Sequence, residues 1–136
     1  MKINFEKSLQ LFLNLVAIHS ISVGIGLIVI PFSALNYLGF HGEAERFFPA
    51  QGGVFHILMA ACYLLAARNL RKNEPLVYFS AFVKFGATLF LLLYYLFSES
   101  ILLLLFSCVT DFIMGLVIYL LYKQLKSDGY FMSDAK

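Results

Sequence analysis

An all-α fold, an integral membrane four-helix bundle with N-terminus and C-terminus both cytoplasmic, is what this chain predicts, and three observations carry the prediction. First, 61% of the 136 residues are hydrophobic and 13% are Asp, Glu, Lys or Arg, where a soluble domain averages roughly 25% charged. With a mean hydropathy of +0.83, the chain has too few polar side chains to cover a water-facing surface. Second, apolar residues gather in four runs, 9–30, 48–67, 76–97 and 101–122, each near the roughly 20 residues that a helix needs to cross a bilayer. A helix satisfies its own backbone hydrogen bonds in lipid, which a lone strand cannot do. Third, basic residues cluster on one side of these runs. Lys2 and Lys7 precede the first, Arg68, Arg71 and Lys72 separate the second from the third, and Lys123, Lys126 and Lys136 follow the fourth. The opposite connections hold only Arg46, and retention of Lys and Arg in the cytoplasm then sets the orientation.

The elements follow in order within a single domain, 1–136. The first run lacks an A-x-A cleavage site and is too long for a signal peptide, so it reads as a retained span. Its polar residues are Asn14 and His19, and the rows Ser20, Gly24 and Ser22, Gly26 favour close helix contact. The connection 31–49 holds Gly39, His41, Gly42, Glu43 and Glu45 and reads as a solvated external loop, with a small cap or interfacial turn as the alternative. The second run opens on Gln51, Gly52 and Gly53 and carries His56 and Tyr63, with Gly52, His56 and Ala60 on one face. Pro31, Pro49 and Pro75 all fall at the edges of runs, where the missing N–H does least harm. The link 98–100 is so short that the third and fourth helices are antiparallel neighbours.

Lys84 lies inside the third run. A central lysine costs about 2.5 to 3.5 kcal/mol to insert, whereas each Leu, Ile, Phe or Val returns about 0.3 to 0.6, so the run tolerates the charge. Asp111, near the middle of the fourth run, supplies the reason for it. At the helical rise per residue, Lys84 sits about 12 Å and Asp111 about 16 Å from the cytoplasmic ends of their runs. A lysine stem spans that difference, which predicts an intramembrane ion pair or shared-proton pair. Ser80, Lys84 and Thr88 recur at every fourth residue, as do Ser107, Asp111 and Gly115, so each set shares a face with the charge. His19, Ser80, Thr88 and Ser107 are candidates to extend the network, and His56, Gln51 and Tyr63 form a candidate ligand-binding set. The simpler reading of His19 and His56 is that of hydrogen-bonded interior histidines.

Other chemistries find little support. The net charge of +2 is too small to recruit nucleic acid, and Cys62 and Cys108 form no CxxC. No HExxH, GxSxG or P-loop occurs. Two histidines on different spans are the ligand pattern of a b-type haem, but His56 lies closer to the outer end than His19, which sits near mid-membrane. No metal or cofactor is expected on the leading reading.

The stretches "GGVFHILMAACYLLAARN", "VKFGATLFLLLYY" and "CVTDFIMGLVIYLLY" resemble small bacterial membrane proteins of the DoxX-like and BphX-like four-helix families. Gly52 and Gly53, Ala66 to Asn69, Lys84 and Asp111 carry the resemblance. It implies a bundle in the bacterial inner (cytoplasmic) membrane, in families sometimes linked to quinone-dependent redox partners or oxidative stress. The expected function is that of a non-enzymatic accessory or interaction subunit, with the lipid bilayer and a second copy or another membrane protein as partners and no nucleic acid. The alternatives are a small oligomeric proton-coupled transporter or channel, with Asp111 as carrier tuned by Lys84 and His19, and a redox-associated subunit binding quinone or haem near His19 and His56.

Overall fold

The computed structural model describes residues 4–37, 39, 46–98 and 100–132. The elements are α1 (Phe5–Val29), α2 (Phe32–Tyr37), α3 (Phe47–Arg68), α4 (Glu74–Phe97) and α5 (Leu102–Ser127). All but α2 are long and apolar enough to cross a membrane. At about 1.5 Å per residue, helices of this length reach past the roughly 30 Å hydrocarbon core of a bilayer.

The helices start and stop for local reasons. Asn4 caps α1 by accepting the Lys7 N–H through its side-chain oxygen at 3.1 Å, with Glu6 in the first turn favouring the helix dipole. That cap starts the helix several residues before the apolar run begins. At its other end Pro31 follows the last turn, and Arg46 donates from Nη2 to the Ile28 carbonyl at 2.7 Å. Arg46 thus satisfies a carbonyl that the helix end leaves open. Helix α5 outlasts its apolar run because Lys123, Gln124 and Lys126 are good helix formers, and it ends in a Schellman turn. There the Tyr130 N–H bonds to Leu125 O at 3.0 Å and the Gly129 N–H to Lys126 O at 3.1 Å, with Gly129 at φ +71°.

The connection after α1 contains the short helix α2, so it is more ordered than a plain solvated loop. Beyond α2, Gly39 (φ +93°) passes over the start of α5, where a Cβ would come 3.3 Å from Ile101 Cγ2. His41, Gly42, Glu43 and Glu45 lie outside the described residues.

Packing joins the spans in a ring, α1 to α3 to α4 to α5 and back to α1. Contact is most extensive within two sequential hairpins, α1 with α3 and α4 with α5, and narrower between them. On α5 the buried positions Cys108, Asp111, Gly115, Ile118, Tyr122 and Leu125 alternate in steps of three and four, the spacing of a left-handed coiled-coil seam, and Met114 is buried beside them. The α1 stripe of Leu9, Leu13, Val16, Ala17, Ser20 and Gly24 meets an α3 stripe of small residues, among them Gly53, Ala60 and Ala66. At their crossing the two backbones touch. A Cβ on Gly53 would stand 2.5 Å from the Gly24 carbonyl oxygen, and one on Gly24 2.7 Å from the Gly53 oxygen. In lipid, which offers no hydrophobic drive between helices, such close approach would supply the attraction instead.

The core is lopsided. Its buried apolar residues come from the start of α1, the end of α3, the start of α4 and the end of α5, which is the half of the bundle that holds both chain ends. On α4 no described residue after Lys84 is buried. Outside this core, burial is confined to contacts such as Gly24 on Gly53 and Cys108 under Thr88. Lys84 and Asp111 therefore stand at the outer edge of the packed half.

Candidate functional site

Lys84 and Asp111 meet. Lys84 Nζ donates to Asp111 Oδ1 at 2.6 Å, with the two residues 3% and 7% exposed. Their helices are joined by the short link that forces them to run side by side, and Gly115 lets them close on one another. A Cβ at Gly115 would fall 3.1 Å from Lys84 Cβ and 3.3 Å from the Phe85 ring. Across the bundle Tyr63 of α3, 1% exposed, turns its ring toward the ammonium at 5.8 Å from the centroid. That is the outer range of a cation–π contact, and desolvation strengthens it. Above the pair, the Cys108 thiol donates to the Thr88 carbonyl at 3.4 Å and ties α5 to α4 once more.

The hydroxyls expected to extend the network do something else. Ser80, fully buried, donates to the Leu76 carbonyl at 2.6 Å, and Thr88 donates to the Lys84 carbonyl at 2.8 Å. Both satisfy the preceding turn of their own helix, a bond always within reach of Ser and Thr, and neither bonds the ion pair. Ser107 is only half-buried, and its neighbour Cys108 takes the inner position. Of the other candidate set, Tyr63 is sealed in the core, Gln51 is exposed and His56 is half-buried.

His19 and His56 both lie within electrostatic range of Lys84 and Asp111. His56 also flanks the backbone crossing, since a Cβ at Gly24 would lie 3.3 Å from His56 Cβ. Both histidines are half-buried, and neither imidazole has a hydrogen-bond partner among the described residues. Ser20, next to His19 and 1% exposed, also has a hydroxyl without a partner among the described residues. No cluster of His, Cys, Asp and Glu among the described residues is arranged to hold a metal ion.

No known protein family, curated protein or solved structure matches the chain.

A second polar cluster, at the base of the bundle, escaped sequence reasoning. Tyr122 donates to Glu74 Oε1 at 2.8 Å, and exposed Lys126 reaches both the Tyr122 hydroxyl at 2.9 Å and Glu74 at 3.3 Å. The Schellman turn then folds Tyr130 back onto α1, where its hydroxyl donates to Glu6 Oε1 at 2.8 Å. Arg71, from the turn between α3 and α4, stacks over the Tyr130 ring at 4.4 Å. All four spans contribute to this clasp or adjoin it. Its one legible signal was "SDGY" after a basic helix end, a C-cap glycine followed by an aromatic residue.

Proposed function

We propose that this chain is a four-span protein of the bacterial cytoplasmic membrane, with both termini inside, that acts as a non-enzymatic accessory or interaction subunit. In this reading the Lys84–Asp111 pair is a structural fastener. The closure of that pair is the observation that carries it: opposite charges 2.6 Å apart, nearly excluded from solvent and walled by Tyr63, Phe85 and Gly115. A carboxylate already neutralised by a lysine is poorly available to a passing cation, yet it is well suited to hold two helices in one register. Kinship with the DoxX-like and BphX-like families belongs to the same proposal and leans on Gly52, Gly53, Lys84 and Asp111. The partner is a second copy of the chain or another membrane protein.

A second reading, an oligomeric proton-coupled transporter, draws on a different observation. The pair lies where tight packing between the hairpins ends, and two imidazoles without bonds among the described residues stand within its field. Groups that exchange protons at mid-membrane have this composition.

Asp111→Asn separates the two. As a fastener, Asp111 is expected to matter for folding, so the variant gives a reduced folded yield that Lys84→Met restores. If instead the variant folds in full yield and abolishes a pH-driven flux that the parent supports in proteoliposomes, the accessory reading fails and the transporter reading replaces it.

A further inference from the structure

The base of the bundle contains a cleft of about 330 Å³ lined by Glu6, Gln10, Arg68, Asn69, Leu70, Arg71 and Tyr130. Its walls are the first turns of α1, the exit of α3 and the residues folded back after α5. We propose that this cleft binds the phosphate headgroup of an anionic lipid. The proposal rests on the membrane-spanning reading given above and assigns a ligand to a place that reading leaves unused.

Three features argue for a phosphate. Among the described residues that line it, the cleft has two guanidinium groups and one carboxylate, and that carboxylate, Glu6, already accepts the Tyr130 hydroxyl at 2.8 Å. Guanidinium presents several N–H donors in a planar fork that matches phosphate oxygens, and it retains donors when some are engaged. The amides of Gln10 and Asn69 add neutral donors to the same wall.

The cleft is also built rather than incidental. The turn carrying Arg71 is pinned at both ends: Asn69 Oδ1 accepts the Lys72 N–H at 3.0 Å, and Asn73 Nδ2 donates to the Leu65 carbonyl at 2.7 Å. Leu70 between them is fully buried and anchors the turn into the core. The Arg71 guanidinium lies over the Tyr130 ring at 4.4 Å, a contact that limits the side-chain entropy left to lose when a ligand arrives.

Depth selects a lipid over a soluble phosphate as the source. Arg68 ends a span, and basic residues at that level meet headgroups. One turn deeper, Leu64, Leu65 and Leu11 are exposed on the outside of the bundle, where acyl chains would continue from a headgroup held in the cleft.

The test is native mass spectrometry of the full chain extracted in neutral detergent and doped with phosphatidylglycerol or phosphatidylcholine. The parent is expected to retain phosphatidylglycerol preferentially. Arg68→Gln is expected to lower that retention about tenfold, the loss of one charge-assisted contact, while Lys123→Gln, outside the cleft, leaves it unchanged. Gln10→Leu, on the facing wall, is a second variant with an expected reduction should Arg68→Gln fold poorly. Equal retention of the two lipids by the parent overturns the proposal, as does an equal loss in Lys123→Gln, which would mean unspecific attraction. If inorganic phosphate alone gives the same Arg68-dependent stabilisation, the source is the solution and the lipid assignment falls. Alkaline carbonate extraction keeps the underlying reading separate: release of the chain from membranes refutes the spanning arrangement, whereas retention without lipid preference refutes only this inference.

Discussion

A lysine or an aspartate alone at mid-membrane is a liability, and each residue of this pair is intelligible only beside the other. Removing one leaves a charge without its partner in a low dielectric, which costs about 3 to 5 kcal/mol in buried pairs, while replacing both with apolar groups is far milder. Lys84→Met and Asp111→Leu are therefore expected to destabilise singly by that order, and the double variant to recover most of the loss, as read by detergent unfolding of the four proteins. Ser20 poses the opposite case. Its hydroxyl is buried and unpartnered among the described residues, so Ser20→Ala is expected to leave stability unchanged or raise it by about 1 kcal/mol; a clear loss in the same assay would mean that the hydroxyl bonds a buried water. The ion pair was legible because helical rise and a short link fix which residues share a depth on adjoining helices. Ser20 was not, since spacing says that a residue faces inward but not whether its hydroxyl turns to its own helix. The role of Arg46 was hidden for a related reason. As the lone basic residue between the first and second apolar runs it entered only the charge count, whereas its bond to Ile28 depends on how the chain returns from α2.

At the level of elements, the glycines divide by what surrounds them. Gly53 and Gly24 let α3 and α1 touch backbone to backbone, and neither oxygen can yield to an added Cβ. Gly86, on the exposed side of α4, meets nothing within 4 Å. Gly53→Ala is thus expected to loosen the first hairpin, lowering stability by more than about 1 kcal/mol, whereas Gly86→Ala gains up to about 1 kcal/mol of helix propensity. Thermal unfolding of the two variants beside the parent checks both signs. All four long helices were legible because each apolar run is long enough to form a helix that could cross a membrane. Their ends were less so: hydropathy stops where polar residues begin, but α1 reaches back to Phe5 on the Asn4 cap and α5 continues through Lys123 and Lys126 to Ser127. Helix α2 is too short to leave a periodicity of its own.

Over the whole molecule, stability is concentrated in the half holding both chain ends and is completed by the clasp at the base. Burial first, and then its hydrogen bond to Glu6, hold the Tyr130 phenol above its ordinary pKa, partly opposed by the Arg71 charge. A group raised on folding contributes stability that is present below its unfolded pKa and lost as pH climbs through the folded value. The clasp is therefore intact at neutral pH and expected to weaken only above about pH 10. Tyr130→Phe should remove that alkaline step from a stability-against-pH curve, and a step that persists would assign it to another tyrosine. This clasp was illegible beforehand because it joins residues far apart in sequence through a turn whose geometry depends on Gly129. The two-hairpin arrangement carries one more consequence. Both members of the ion pair belong to the second hairpin, so on the membrane-spanning reading proposed above their charges would cancel within that half before it docks on the first. Biogenesis would then proceed as two successive insertions, each already electrically quiet, and a chain severed between Asn69 and Asn73 should still assemble when its halves are supplied together.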